Sequence, residues 1–249
     1  MRRFHCDIVE RGPVPGDAVP EREKKHLHKV LRASEGARVL LMNGKGTVGE
    51  AVVGRDGSLT VDDVSRFPRP STRVHLFVAP PSSKSALDHM LRQCAEVGVW
   101  RVDFILSERS VARPSSRSAF ERARLHLLEG CKQSGNPWFP ELGNEILSFK
   151  DAVERAAALS AAFFGSTRNG GDAETARMIP GRVETEHPVP NNAEGNGVDV
   201  AWMVGPEGGF TDGEEEILAA AGIAPVSLGP WTLRIETAAI LGCFTILTR

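Results

Sequence analysis

The sequence predicts an α/β domain with a largely parallel sheet, preceded by a smaller β-rich domain. Before residue 70, short runs of β-branched residues alternate with the hairpin turn signals Asn43-Gly44 and Asp56-Gly57. After residue 73, apolar runs of strand length alternate with segments of helical periodicity, the pattern of strand–helix–strand units. Pro68 and Pro70 mark a stiff boundary between the two regions. We therefore predict domains at residues 1–70 and 73–249.

The first domain is predicted to be a small β-barrel with one short helix. Its strands are expected at residues 38–42, 47–53 and 59–61, and its helix at residues 23–32. In the second domain we expect strands at residues 74–79, 102–106, 161–164, 198–204 and 224–228. Helices are expected at residues 87–97, 118–134, 150–159 and after residue 210, with a last helix that ends at residue 247. The stretch 165–197, rich in Gly, Asn, Pro and acids, is predicted to be a flexible surface insertion.

Composition limits the class of protein. Apolar residues make up 41% and charged residues 25% of the 249 residues, which is typical of a globular protein. No apolar run is long enough to span a bilayer, and no secretory signal follows the first residues, so we expect a cytoplasmic protein without membrane contact. The histidines form no HExxH motif and the cysteines no CxxC pair, which predicts no metal site and free buried thiols. The cysteines are Cys6, Cys94, Cys131 and Cys243.

Charge is distributed unevenly along the chain. The formal net charge is −2, yet residues 165–220 hold eleven acids against three arginines. A basic run between residues 109 and 132 is a candidate surface for RNA phosphates. A solvated, arginine-rich helix face explains the same run equally well. Its members are Arg109, Arg113, Arg117, Arg122, Arg124 and Lys132.

A glycine-rich loop follows the apolar strand predicted at residues 198–204. It has the sequence Gly-Pro-Glu-Gly-Gly-Phe at residues 205–210, and Thr211 with Glu214 forms a capping box that starts a helix directly afterwards. In parallel sheets, such strand–loop–helix junctions bring ligands to backbone amides at the carboxyl edge. The loop lacks both the GxGxxG spacing and the Lys-Ser/Thr ending of phosphate-binding loops. It is therefore either a site for another ligand or a purely structural turn.

A second junction favours the ligand site. The predicted strand 224–228 leads into Gly229-Pro230, and the nearly apolar last helix then begins with Arg234, Glu236 and Thr237. The apolar remainder of this helix is expected in the core or at an oligomer interface. Polar groups at the start of a buried helix require partners, which indicates a binding site.

These two junctions closely resemble those of the ribosomal RNA small-subunit methyltransferase E family. The resemblance rests on the loop at 205–210, on Leu-Gly-Pro at 228–230 and on Leu-Arg-Ile-Glu-Thr-Ala at 233–238. Further matches follow in order along nearly the whole chain. They are His-Leu-His-Lys-Val-Leu-Arg at 26–32, Glu-Val-Gly-Val at 96–99, Ser-Glu-Arg-Ser at 107–110, Gln-Ser at 133–134 and Pro-Glu at 140–141.

The resemblance implies an N-terminal PUA-like β-barrel for RNA and a C-terminal SPOUT methyltransferase domain whose chain forms a deep trefoil knot. It also implies a homodimer that binds S-adenosylmethionine in the knot loops and methylates N3 of one uridine in 16S ribosomal RNA, alone or in the assembled small subunit. The sulfonium methyl group is already activated, so positioning is most of the catalytic task. Uridine N3 carries a proton, so a base or a cation that stabilises the developing charge is also needed.

By the same resemblance, individual residues receive roles. Arg234 and Glu236 are the candidate catalytic residues, with Arg234 either stabilising the uracil charge or holding the loop through Glu236 or Glu207. The RNA contacts are expected from Lys29, Arg32, Arg109 and Trp231. The cofactor is expected to contact Gly165, Gly205, Pro206, Glu207, Gly208, Leu228, Gly229, Leu233, Arg234 and Thr237.

Three positions depart from the family pattern. Gln93, Asn136 and Trp231 stand where basic residues are common in the family. Lost phosphate contacts weaken RNA binding and flatten its salt dependence. Trp231 is instead able to stack on a flipped base. Two alternatives therefore stay open: a SPOUT enzyme that methylates another RNA position, and an RNA-binding assembly protein without turnover.

Overall fold

A computed structural model describes residues 1–31, 36–114, 116–166 and 197–248. Arg32 lies outside the described residues, and so does nearly all of the predicted insertion. The chain divides into two compact units. The N-terminal unit contains Met1–Arg69 and Leu128–Phe139, and the C-terminal unit contains Pro70–Leu127 and Pro140–Arg249.

The N-terminal unit is built on a five-stranded sheet with the order β1-β3-β4-β5-β2. Both predicted hairpins are confirmed, since β3 pairs antiparallel with β4 and β4 with β5. The Asn43 side chain stabilises the first turn by accepting hydrogen bonds from the amides of Lys45 and Thr47 at 2.8 and 3.0 Å. The elements of this unit are β1 (Arg2–His5), β2 (Gly12–Pro13), α1 (Glu21–Leu31), β3 (Arg38–Met42), β4 (Thr47–Val53) and β5 (Leu59–Arg66).

Residues 128–139 also belong to this unit, although they follow the predicted boundary at residue 70. Buried Glu23 accepts hydrogen bonds from Lys132 Nζ at 2.8 and 3.0 Å. Arg3 Nη1 donates to the carbonyls of Lys132 and Gln133 at 3.0 and 2.8 Å, where a helix ends and its carbonyls lack helical partners. These contacts join sequence-distant segments, so local sequence patterns do not predict them.

The C-terminal unit is an α/β structure around a seven-stranded sheet, and every described strand pairing in it is parallel. The strand order is β12-β10-β11-β6-β7-β8, and β9 pairs with β7 as β8 does. The strands are β6 (Thr72–Val78), β7 (Arg101–Leu106), β8 (Glu141–Leu142), β9 (Leu147–Ser148), β10 (Ala161–Gly165), β11 (Val198–Val204) and β12 (Ala224–Val226). The predicted parallel sheet of the α/β domain and the separate β-rich N-terminal domain are thereby confirmed.

The helices begin and end at capping residues. Ser83, Ser148 and Thr211 accept backbone N–H groups at the starts of α2, α4 and α5, and Thr211 forms the predicted capping box with Glu214. Gly98 ends α2 with φ 91°, a left-handed conformation that glycine adopts without strain. The helices are α2 (Lys84–Val97), α3 (Arg117–Ser134), α4 (Phe149–Ala157), α5 (Asp212–Ala220) and α6 (Ile235–Leu247).

Two expectations about strands were incomplete. The strand expected at 224–228 ends at Val226, because its parallel partner β10 ends at Gly165, the residue opposite Val226. The strands β1, β2, β8 and β9 were not predicted individually, since two to four residues are too few to show a periodicity.

The four cysteines are free and buried, as predicted. Burial raises the pKa of the Cys94 and Cys131 thiols to about 12. Both thiols stay protonated at neutral pH and act as small apolar core groups.

Helix α6 is fixed on the sheet by a tryptophan. Trp202 of β11 is only 1% exposed, and its Nε1–H donates to the carbonyl of Ala238 at 3.1 Å. Gly242, one turn later in α6, lies directly against the indole, and a Cβ built there would be 2.0 Å from Trp202 Cε2. The sheet and the helix approach this closely only because residue 242 has no side chain.

We expect Gly242→Ala to lower the free energy of unfolding by about 1–3 kcal/mol, because the added methyl overpacks the core. Urea unfolding followed by circular dichroism measures the change. Gly213→Ala is the matched control: Gly213 is an exposed helical glycine beside which a Cβ would find open space, and alanine there is expected to stabilise by about 0.5–1 kcal/mol. Equal effects of the two substitutions would contradict the role of Gly242.

Candidate functional site

A cavity of about 710 Å³ opens at the carboxyl edge of the parallel sheet. Its wall comes from the segments that follow β6, β10, β11 and β12 and from the first turn of α6. The carboxyl ends of parallel strands lie at one edge, and ligands of open α/β sheets bind there. A volume of this size is typical of sites for small molecules and cofactors.

The glycine-rich loop at 205–210 forms one side of the cavity. Gly209 has φ +68°, and its amide donates to the carbonyl of Pro206 at 2.8 Å, which closes a tight turn. The buried side chain of Phe210 anchors the end of the loop between Phe149 and Phe164, with ring centroids 5.8 and 6.1 Å away. The turn is therefore attached to the hydrophobic core.

Glu207 joins this loop to the segment after β6. Its Oε1 accepts hydrogen bonds from the amide of Ser82 at 2.9 Å and from the Ser82 hydroxyl at 2.8 Å. The hydrogen bond from the Ser82 amide is the main reason that the pKa of Glu207 lies below its ordinary value, and the bond from the Ser82 hydroxyl lowers it further. The carboxylate is ionised at neutral pH and faces the cavity.

The loop between β12 and α6 forms the opposite side. Trp231 is 81% exposed at the cavity wall, an unusual position for a large aromatic side chain. Arg234 is the N-cap residue of α6, and its exposed side chain places Nη1 4.0 Å from Glu236 Oε1. One cation and one carboxylate therefore stand together at the start of this helix.

The structure brings most of the predicted site residues together on this wall. Gly208 and Thr237 are exceptions: within the described chain they do not line the cavity. The predicted residues on the wall are Gly165, Gly205, Pro206, Glu207, Leu228, Gly229, Trp231, Leu233, Arg234 and Glu236.

Apart from Trp231, the residues predicted to contact RNA are not among the described residues that line the cavity. Arg109 lies on the loop after β7, and its Nη1 donates to the carbonyl of Gly208 at 2.7 Å. Lys29 lies in α1, where its side chain is not described, and Arg32 lies outside the described residues. In the basic run, Lys132 pairs with buried Glu23 and Arg122 with Asp88, so at least these two charges are used within the protein.

Four serines on the wall were missed from the sequence, Ser227 directly after β12 and three others. Ser82 and Ser83 follow β6, and Ser166 follows β10. The available signal for these three was their place directly after two predicted parallel strands, at the same edge as the glycine-rich loop. Single serines in loops are too common to be selected without that geometry.

The polar groups of the described wall include hydroxyls, backbone groups, the indole of Trp231, two carboxylates and one guanidinium. Among the described lining residues, the titratable side chains are Glu207, Arg234 and Glu236.

Residues 1–31, 36–114, 116–166 and 197–248 contain no group of three or more His, Cys, Asp or Glu arranged to hold a metal. In those same ranges no helix has the length and apolarity that a membrane span requires.

Comparison with known proteins identifies relatives that match most of the chain. The chain is 29% identical over 220 residues to ribosomal RNA small subunit methyltransferase E of Synechocystis. The matched region covers 86% of this chain and 66% of the relative, slightly under two thirds of the relative's length. It is 26% identical over 237 residues to the protein of the same name from Treponema pallidum, with 89% and 81% covered.

A solved structure shows the same fold. The crystal structure of ribosomal RNA small subunit methyltransferase E from Neisseria gonorrhoeae, bound to S-adenosyl methionine, superimposes with a TM-score of 0.80 over 100% of this chain and 97% of that chain, at 23% identity. The predicted SPOUT fold with an N-terminal PUA-like domain is confirmed by this likeness together with the family matches.

The family matches cover both parts of the sequence. The profile of the RNA methyltransferase PUA domain matches residues 19–62. The profile of the RNA methyltransferase domain matches residues 68–247, more than two thirds of the chain. The chain therefore belongs to the RNA methyltransferase family defined by this domain.

Proposed function

We propose that this protein transfers the methyl group of S-adenosylmethionine to N3 of a uridine in 16S ribosomal RNA. The observation that carries the proposal is the cavity at the carboxyl edge of β6, β10, β11 and β12 in a chain of the RNA methyltransferase family. The named relatives act on ribosomal RNA of the small subunit, and the Neisseria relative binds S-adenosyl methionine. The proposed domains are residues 1–70 for RNA and 73–249 for methyl transfer.

The described wall is suited to such a cofactor. Gly205, Leu228, Gly229 and Leu233 border the cavity, and their backbone groups are the proposed hydrogen-bonding partners of the cofactor. The cofactor supplies an activated methyl group when bound. Gly165, Pro206 and Glu207 complete the proposed contact set on the wall, and the ionised Glu207 provides a negative charge that suits a cationic ligand.

Arg234 and Glu236 are the proposed catalytic residues. The guanidinium of Arg234 is exposed and able to approach a uracil whose N3 loses its proton, where it stabilises the developing negative charge. Glu236 is the proposed proton acceptor, because the other described wall carboxylate, Glu207, is already engaged by Ser82 and has a lowered pKa. The pair at 4.0 Å keeps both groups at one end of α6.

Trp231 is proposed to stack on the target base. Its indole is exposed beside the cavity, and stacking of an aromatic side chain on a base contributes about 1–3 kcal/mol. Lys29 and Arg32 are proposed to contact RNA phosphates. Because Gln93 and Asn136 are neutral, fewer such contacts are expected here than in typical relatives.

The protein is proposed to form a homodimer through the apolar face of α6. Leu241 and Phe244 are three residues apart on this helix and are 41% and 52% exposed. Large apolar side chains on one exposed face indicate a protein contact. A second copy of the chain is the proposed partner, and the cytoplasm, where small subunits are assembled, is the proposed location.

The proposed reaction is tested by incubating the purified protein with radiolabelled S-adenosylmethionine and an unmethylated substrate. The substrate is either small ribosomal subunits or free 16S ribosomal RNA, taken from a strain in which the gene for this protein is deleted. We expect one labelled uridine, methylated at N3, identified by mass spectrometry of nuclease fragments. The comparison of subunits with free RNA shows which one is the substrate.

Two other outcomes select the alternatives. A methyl group at another nucleotide would assign a different target to the enzyme. No cofactor binding in calorimetric titration of the purified protein would instead favour an RNA-binding assembly protein without turnover.

We expect Arg234→Ala to lower kcat about 10²–10³-fold, because the charge on the uracil loses its stabilising cation. Glu236→Gln is expected to lower kcat about 10²–10⁴-fold through loss of the proton acceptor. Single-turnover methylation assays measure both effects, and Arg234→Lys is the control that retains the charge. A rise in the Kd for S-adenosylmethionine with kcat unchanged would show that Arg234 only holds the cofactor loop.

We expect Phe244→Glu combined with Leu241→Glu to convert a dimer into a monomer, since charges on the interface lose their hydration on association. Sedimentation velocity measures the change in mass. Ile217→Glu is the matched control, because Ile217 is also 52% exposed but lies on α5. A monomeric wild-type protein, or equal effects of both variants, would contradict the proposed interface.

A further inference from the structure

A short turn after β7 lies against the glycine-rich loop of the cavity. The amide of Ser110 donates to the carbonyl of Ser107 at 3.1 Å, and the amide of Ser107 donates to the Ser110 hydroxyl at 3.0 Å. The turn is closed by its own serines and follows directly from a buried strand. Glu108 and Arg109, the two residues at its tip, are thus held in place without help from a ligand.

Arg109 uses its guanidinium on the backbone of the glycine-rich loop. Nη1 donates to the carbonyl of Gly208 at 2.7 Å and has a longer contact of 3.4 Å with the carbonyl of Phe210. These two carbonyls lie on either side of Gly209, the residue with φ +68°. One cation therefore holds both ends of the left-handed turn that borders the cavity.

Gly208 is a glycine at a position where the backbone does not require one, because its φ is not in the left-handed region. It also does not line the cavity within the described chain. The side chain of Arg109 lies across it instead, and a Cβ built on Gly208 would be 3.1 Å from Arg109 Cδ, closer than an ordinary carbon–carbon contact. The missing side chain at 208 makes room for Arg109.

Glu108 holds the other end of the same loop. Its amide donates to Glu214 Oε1 at 2.8 Å, while Glu214 Oε2 accepts the amide of Thr211 at 2.9 Å. Glu214 is only 7% exposed, so both oxygens of a buried carboxylate are used to join the two segments. The loop is therefore bound on both sides of Phe210 by the turn at 107–110.

We propose that Arg109 is a positioning residue that fixes the backbone of residues 205–210, and that the absence of a side chain at Gly208 lets Arg109 cross the loop. The loop then presents Gly205, Pro206 and Glu207 to the cavity in one arrangement before a ligand enters. A preformed wall binds its ligand more tightly, because the ordering entropy is not lost on binding. The consequence for S-adenosylmethionine rests on the proposed function, whereas the fixing of the loop does not.

The fixing of the loop is tested on the full-length protein without any ligand. We expect Arg109→Ala to accelerate amide hydrogen exchange in peptides that cover residues 205–211 by about tenfold, as judged by mass spectrometry, because a charge-assisted hydrogen bond is lost. Arg109→Lys is expected to give an intermediate rate. Arg113→Ala removes the same charge from an exposed arginine four residues away and is expected to leave the exchange unchanged.

Gly208→Ala supplies an independent measurement. It is expected to accelerate exchange in the wild-type background and to have little further effect in the Arg109→Ala background, because the methyl group then meets no arginine side chain. Unchanged exchange in Arg109→Ala, or additive effects of the two substitutions, would overturn the proposal.

Cofactor and RNA titrations separate loop positioning from a direct contact with RNA. Loop positioning predicts that Arg109→Ala raises the Kd for S-adenosylmethionine about tenfold at every salt concentration. A phosphate contact predicts an unchanged Kd for the cofactor, together with weaker RNA binding and a flatter salt dependence. That second pattern would overturn the positioning role. If the wild-type protein binds no S-adenosylmethionine, the proposed function fails and the exchange measurements alone decide the role of Arg109.

Discussion

The close contact between Trp202 and α6 is the constraint on which the candidate site depends. The indole is buried between β11 and the helix, its N–H is bound by the carbonyl of Ala238, and Gly242 leaves the space that it fills. The first turn of the same helix carries Arg234 and Glu236. Packing in the core therefore determines where the charged end of the helix stands relative to the carboxyl edge of the sheet.

The glycine-rich loop shows how a segment without regular structure is held in one conformation. Phe210 attaches it to the hydrophobic core, Glu207 to the segment after β6, and Arg109 to the turn after β7. Each attachment uses a different kind of interaction, and each comes from a different part of the C-terminal unit. Loops that carry binding residues are commonly positioned in this way by a rigid scaffold.

Much of the fold followed from the sequence because its signals are local. The strands at 47–53 and 198–204, the turns at Asn43 and Asp56, and the capping box at Thr211 were predicted from neighbouring residues and were found at those positions. The two glycine-rich junctions were recognised for the same reason, since each follows a predicted strand, and both border the cavity in the structure. Local periodicity and turn chemistry depend on a few adjacent residues, so one chain is sufficient to detect them.

The roles of single residues at the site were less accessible. Gly208 was expected to contact the cofactor, and the structure places the side chain of Arg109 against it. Ser82 was overlooked, and its hydroxyl donates a hydrogen bond to Glu207. Residues 128–139 were assigned to the second region, yet Glu23 and Arg3 join them to the N-terminal unit. Each of these contacts joins residues about 100 or more positions apart along the chain, and no pattern within a short window records such a pairing.

The sequence by itself determined the fold class, the order of the helices and of the longer strands, and the two loops at which a ligand is expected. Those properties arise from backbone preferences and from the alternation of apolar and polar residues, which act between neighbours. Only the tertiary structure decided which face of each loop borders the cavity, which carboxylate is already bound, and that Arg109 turns toward the protein backbone. Those outcomes depend on side chains that meet after the strands have aligned in parallel, when the charged and polar groups of separate segments must satisfy one another.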